Sequence, residues 1–165
     1  MNRNLKEAYD VLRKVTPLKA DCGKLCGGLC CKGDGDTGME LFCGEEELLS
    51  EAENFKITKT GDGRTLLVCD GTCDRNLRPL ACRFYPLFPL VREENGKDVL
   101  EVIIDPRSKS CPIISSSIRI DSNFYLAVRR AGLYIMRDEK ILAQLKDISG
   151  FLIRTIQLED LLKSF

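Results

Sequence analysis

The chain has 165 residues, with 25 basic and 25 acidic side chains that cancel, so no bulk positive field points to nucleic acid as the partner. Apolar residues make up 44% and charged ones 30%, the balance of a globular protein and not of a disordered segment. No run approaches the roughly 20 apolar residues of a membrane helix, and the charged, interrupted start "MNRNLKEAYDVLRKV" lacks a signal-peptide core. A cytosolic location and a single domain over 1–165 are therefore expected.

Residues 2–15 predict an amphipathic helix. Leu5, Ala8, Tyr9, Leu12 and Val15 recur at three- and four-residue steps, and Thr16-Pro17 stops the run. From about 20 to 112 follows a loop-rich module that holds every cysteine. Within it, "GEEELLSEAENF" (44–55) reads as a short helix with acids at the positive end of its dipole. Residues 55–68 read as a hairpin turning at Gly61-Asp62-Gly63, and "KDVLEVIID" (97–105) as a further strand. The most apolar stretch, "FYPLFPLV" (84–91), is short and broken by two prolines. From about 117 to 165 the pattern turns helical, with Asp121 as an N-cap and Gly132 and Gly150 as expected kinks or ends. The stripe Ile141, Leu145, Ile148, Leu152 and Ile156 is assigned to the core, while Arg129, Arg130 and Arg137 are assigned to solvent.

The chain has nine cysteines and no histidine. Four of them fall within 22–31, "CGKLCGGLCC", spaced C-x3-C-x3-C-C; Cys43, Cys69, Cys73, Cys82 and Cys111 follow. In a reducing compartment clustered thiols bind metal or carry redox chemistry, and an odd count fits poorly with a fully paired disulfide framework. Soft thiolates select zinc, copper(I) or iron–sulfur centres. Gly27-Gly28 argues against a continuous helix over 22–31 and for backbone wrapped closely round an inorganic core. Adjacent Cys30 and Cys31 do not easily share one tetrahedral zinc, which leaves two neighbouring sites or a larger cluster; Zn²⁺ and [4Fe–4S] both remain open. Lys24, Lys32, Arg75, Arg78, Arg83 and Lys109 lie near cysteines in sequence and are expected to offset the charge of bound thiolates, with Arg83 donating to sulfur. The expected class is α+β and loop-rich: a metal-organised cysteine module with short strands packed on N- and C-terminal helices.

The pattern "CGKLCGGLCC…CDGTCDRNLRPLACRFYP…CP" resembles the CxxCxxCC cysteine-cluster family of zinc- or iron-chelating domains, which includes YkgJ-like proteins and flagellin lysine N-methylases. The matching segments are 22–31, 69–86 and 111–112, with the helical C-terminus uncovered, and the first gap is three residues where the family name has two. The resemblance implies eight metal ligands: Cys22, Cys26, Cys30, Cys31, Cys69, Cys73, Cys82 and Cys111. Cys43 is then the extra one, expected as a buried thiol. It also implies a protein partner or substrate, and methyl transfer to protein lysines as an enzymatic version.

Other motifs fall away on inspection. "GDGDTG" (33–38) matches a dinucleotide fingerprint but follows no buried strand, and its aspartates would repel a pyrophosphate. Asp34, Asp36 and Glu45 mimic a calcium loop, yet Met39 stands where glycine is required. The C-x3-C-x3-C spacing is one residue too long for a radical S-adenosylmethionine motif, and without histidine no Cys–His nucleophile exists. The expectation is a metal-binding cysteine-cluster protein. The alternatives are a non-catalytic zinc-stiffened interaction module and a thiol redox protein built on a low-pKa cysteine pair.

Overall fold

The computed structural model describes residues 2–31, 38–49, 55–69 and 74–164, with the side chain of Cys31 outside that description. Helix α1 (Arg3–Leu12) opens on Asn2, whose side chain accepts the Leu5 N–H at 2.8 Å. It buries Leu5, Ala8 and Leu12, as the periodicity predicts, but ends at Leu12 instead of running to Val15. Thr16 precedes a proline and is driven out of helical geometry; the Val15 carbonyl is taken by Arg75 Nη2 at 2.7 Å.

Helix α2 (Cys22–Cys26) leads through a 3₁₀ turn (Leu29–Cys31) towards β1 (Met39–Glu40). Helix α3 (Glu46–Leu49) is the described part of the helix expected over 44–55; residues 50–54 lie outside the description. Strands β2 (Phe55–Lys59) and β3 (Thr65–Cys69) form the expected antiparallel hairpin, and β1 adds to β3 to give the order β1-β3-β2. Beneath this sheet Leu41, Leu49 and Leu67 form a small core.

Helix α4 (Leu80–Phe84) runs directly into β4 (Leu87–Glu94), which pairs with β5 (Lys97–Ile104) across Asn95-Gly96. Both turn residues have positive φ, 52° and 73°, which is what a two-residue type I′ turn demands. Strand β4 takes up the second half of the proline-broken apolar stretch 84–91, to which no element is assigned from sequence. The Val91 N–H donates to Ser149 Oγ at 2.8 Å, so this set of β4 amides points at a helix and not at β5. Pro89, two residues earlier, faces the same way and removes no ladder bond. Ser149, fully buried, thereby closes the open edge of β4.

After a 3₁₀ turn (Pro106–Ser110) and α5 (Pro112–Ser115) come the two long helices, α6 (Ser122–Ile135) and α7 (Glu139–Lys163). Asp121 caps α6 as expected, accepting from Asn123 N–H at 2.8 Å, and Asp138 caps α7. Ile141, Leu145 and Leu152 of the predicted stripe are fully buried, and Ile148 packs against them. They join Leu5 and Leu12 of α1, Phe84 of α4, Leu90 of β4 and Val128 of α6 in one continuous core. Each such side chain contributes roughly 1.5–3 kcal/mol. Among the described residues this core contains no cysteine. The fold is α+β, and no described helix is long and apolar enough to cross a membrane.

Neither glycine of the long helices is a kink or an end. Gly150 lies inside α7, and Gly132 lies inside α6 where the helix meets the hairpin. A Cβ at Gly132 would come 2.6 Å from Leu100 Cδ1 and 2.7 Å from Pro89 Cβ. Gly132→Ala would gain about 1 kcal/mol of helix propensity, against about 1–3 kcal/mol for overpacking. The Leu100 tip can swing aside but the proline ring cannot, so overpacking wins. A net loss of about 1 kcal/mol in urea denaturation is expected; a more stable alanine variant would contradict this packing.

Candidate metal centre

Asp21 starts α2 by accepting the Gly23 N–H at 3.1 Å, and the helix places Cys22 and Cys26 one turn apart on one side. Gly27 ends it in the left-handed region at φ 61°, with Gly28 at φ 69° behind. Side chains adopt this geometry at a cost that glycine avoids. The chain therefore doubles back, and the following 3₁₀ turn carries Cys30 to the same place. Cys82 comes from α4, and Cys111 from the residue that opens α5.

These five cysteines, Cys22, Cys26, Cys30, Cys82 and Cys111, line one cavity of about 80 Å³. On the same measure one water needs about 10–15 Å³, so the space exceeds that of a single bare ion. Apolar side chains, among them Leu12, Val15 and Ile113, complete its walls, with Leu25 and Leu29 at an exposed rim. Among the described residues, no group of three or more Cys, Asp or Glu side chains stands close enough to hold a single ion. The sulfurs surround a space instead of meeting at a point.

The other sequence-predicted ligands stand differently. Cys69 ends β3, half-buried, and packs against the small core under the sheet; it does not line the cavity. Cys73 and the Cys31 side chain lie outside the described residues. Cys43 is exposed, which corrects the expectation of a buried thiol. Its N–H is held by Gln144 Oε1 of α7 at 3.0 Å, and its side chain borders a separate cleft with Arg64 and Phe151.

Three guanidinium groups, Arg75, Arg78 and Arg83, share the cavity wall. Arg83 is locked: Nε donates to the Arg78 carbonyl at 2.7 Å, Nη2 to the Asn76 carbonyl at 2.8 Å, and the plane lies 4.6 Å from the Tyr9 ring centroid. Through these carbonyls Arg83 holds the 76–78 turn in place while it shares the cavity wall with Cys82. Lys109 turns away to Glu159 of α7 at 2.6 Å, and Lys32 lies outside the described residues. Burial pushes the Cys22 thiol up, as do the Cys26, Asp21 and Cys111 charges, while Arg78 pulls it down. That direction runs against a low-pKa redox nucleophile at Cys22.

Sequence reasoning missed Glu45. Its carboxylate is fully buried and accepts three hydrogen bonds: Tyr9 O–H at 2.5 Å, Phe42 N–H at 2.7 Å and Leu80 N–H at 2.7 Å. It thereby ties α1, the 41–45 corner and the start of α4 together, and α4 carries Cys82. Being held in this network, it is not a calcium ligand. No local signal distinguishes Glu45 from Glu46 and Glu47, since all three stand in one acidic run.

Comparison with protein-family models, with curated proteins and with solved structures found no match to this chain, so the reading of the site rests on its own residues and geometry.

Proposed function

We propose that the cavity binds an iron–sulfur cluster and that the protein is a metal-binding cysteine-cluster protein. One observation carries the reading: five cysteines from three separate parts of the chain line a single cavity. Cys22, Cys26, Cys30, Cys82 and Cys111 are the candidate ligands, with Cys31 and Cys73 next to described cavity segments in sequence. An iron–sulfur cluster spans several ångströms, so its thiolates stand farther apart than those on one Zn²⁺. Sulfurs that line a space without converging suit the larger group. Such a cluster supplies one-electron redox chemistry when bound. This chain's part is to present thiolates, to exclude water with the apolar wall and to balance negative charge with Arg75, Arg78 and Arg83. A cytosolic location fits thiols kept reduced for metal. Lysine methylation draws only on the sequence resemblance and would require S-adenosylmethionine binding to the loaded protein.

Anaerobic purification followed by iron, sulfide and zinc analysis tests the proposal. Brown protein with stoichiometric iron and acid-labile sulfide is expected. Colourless protein with stoichiometric zinc would replace the cluster by zinc sites, and protein without stoichiometric metal would refute metal binding.

A further inference from the structure

Tyr85 stands in the cavity wall with Cys30, Cys82 and Cys111. It directly follows α4, and its amide donates to the Ala81 carbonyl at 3.3 Å, so the helix that carries Cys82 also fixes the Tyr85 backbone. The side chain is half-buried at the cavity. Other hydroxyls near the cavity are already committed. Thr16 donates to the Leu18 carbonyl, and Tyr9 donates to Glu45 at 2.5 Å. The Ser110 hydroxyl pairs with the Tyr85 phenol. A phenol carries a donor as well as acceptor lone pairs, so pairing with Ser110 leaves capacity for a second partner. A phenol keeps its proton at neutral pH.

We infer that the Tyr85 hydroxyl is a hydrogen-bond donor to the sulfur atoms of the group bound in this cavity, positioning the Cys30 and Cys111 thiolates and tuning the group they hold. The inference rests on the proposed metal-binding reading. A donor to ligand sulfur stabilises the more negative, reduced form of a cluster and so raises its reduction potential. Tyr85 is thus a positioning residue and not itself a ligand.

The test uses the full chain, purified anaerobically as wild type, Tyr85→Phe and Tyr85→Leu. Tyr85→Phe keeps the ring and removes only the hydroxyl. It should reach the wild-type metal content yet release metal to an excess of chelator about tenfold more readily. If the metal is iron, its potential should also be more negative than wild type, a change that a purely structural role would not produce. Tyr85→Leu should retain metal no better than Tyr85→Phe. If Tyr85→Phe matches wild type in chelator release while Tyr85→Leu fails, the ring only packs and the inference is overturned. If the wild type holds no stoichiometric metal, the metal-binding reading falls and takes this inference with it. With zinc in place of iron, chelator release alone decides: weaker retention in Tyr85→Phe supports the donor, and equal retention refutes it.

Discussion

Cys82→Ser is expected to strip the proposed metal group from the protein while leaving the long helices folded. Serine keeps the size of the side chain but offers no thiolate at neutral pH, so one anchor of the site is lost. A loss of at least a hundredfold in metal retention is expected, on the order of 3 kcal/mol. The structure limits how far the damage spreads. The large core of α1, α4, β4, α6 and α7 contains no cysteine among its described residues. Helical circular dichroism should therefore fall only by the contribution of short segments such as α2, and thermal unfolding of the rest should persist. On the metal-binding proposal, the metal of the module expected over about 20–112 would fasten 22–31 and the 74–82 segment to a core that hydrophobic burial already builds. Cys43→Ser is the control. Cys43 is exposed on a separate cleft, so its replacement should leave metal content unchanged and stability within about 0.5 kcal/mol. Equal metal loss in both variants, or in neither, would contradict the ligand assignment.

Glu45→Ala is expected to be the most destabilising substitution outside the core hydrophobics. It leaves the Phe42 and Leu80 amides and the Tyr9 hydroxyl without their acceptor in a buried place. Each orphaned donor costs about 1–3 kcal/mol, and some relaxation is available, so a total of roughly 3–5 kcal/mol is expected in urea or guanidinium unfolding. Glu45→Gln keeps one oxygen as acceptor but turns an amide NH₂ towards donors, and should cost about 1–2 kcal/mol. The effect also depends on pH. Burial pushes the Glu45 carboxyl above its ordinary range; the bonds from Tyr9, Leu80 and Phe42 and the Arg83 charge only partly pull it back. A raised folded value means that the folded state holds the proton more tightly than the unfolded chain does. The contribution is therefore complete below the ordinary glutamate range and declines as pH rises through the raised value. The stability gap between wild type and Glu45→Ala should narrow with rising pH. A gap that widens with pH would mean that the three donors outweigh burial and hold the carboxylate ionised.

Much of the scaffold was legible in the sequence because it is written in local periodicity. Leu5, Ala8 and Leu12 mark α1, Ile141, Leu145 and Leu152 mark α7, and Asp121 announces α6. The turn at 60–64 likewise sits between two β-rich runs that do pair. Strand β4 was hidden although its Asn95-Gly96 turn is a strong hairpin signal. Prolines count against a strand unless one knows that their missing N–H faces away from the partner, and only α7 with Ser149 decides that. Gly132 read as a break for the same reason: close approach of another element is invisible along the chain. At the site, Gly27-Gly28 argued against a continuous helix over 22–31, and α2 does end at Cys26 with Gly27 left-handed, so that Cys30 lines the same cavity as Cys22 and Cys26. Spacing could not tell that Cys69 would pack under the small sheet or that Cys43 would face solvent. Those outcomes follow from strand register and from the hold of Gln144 on the 41–43 corner, both long-range contacts.

The most direct measurement is an anomalous difference map recorded at the iron edge from anaerobically grown crystals of the intact chain. Iron density enclosed by Cys22, Cys26, Cys30, Cys82 and Cys111, with Arg78 and Tyr85 alongside, is the predicted result. An empty pocket with these sulfurs joined as disulfides, or metal bound instead at Cys43, would contradict it.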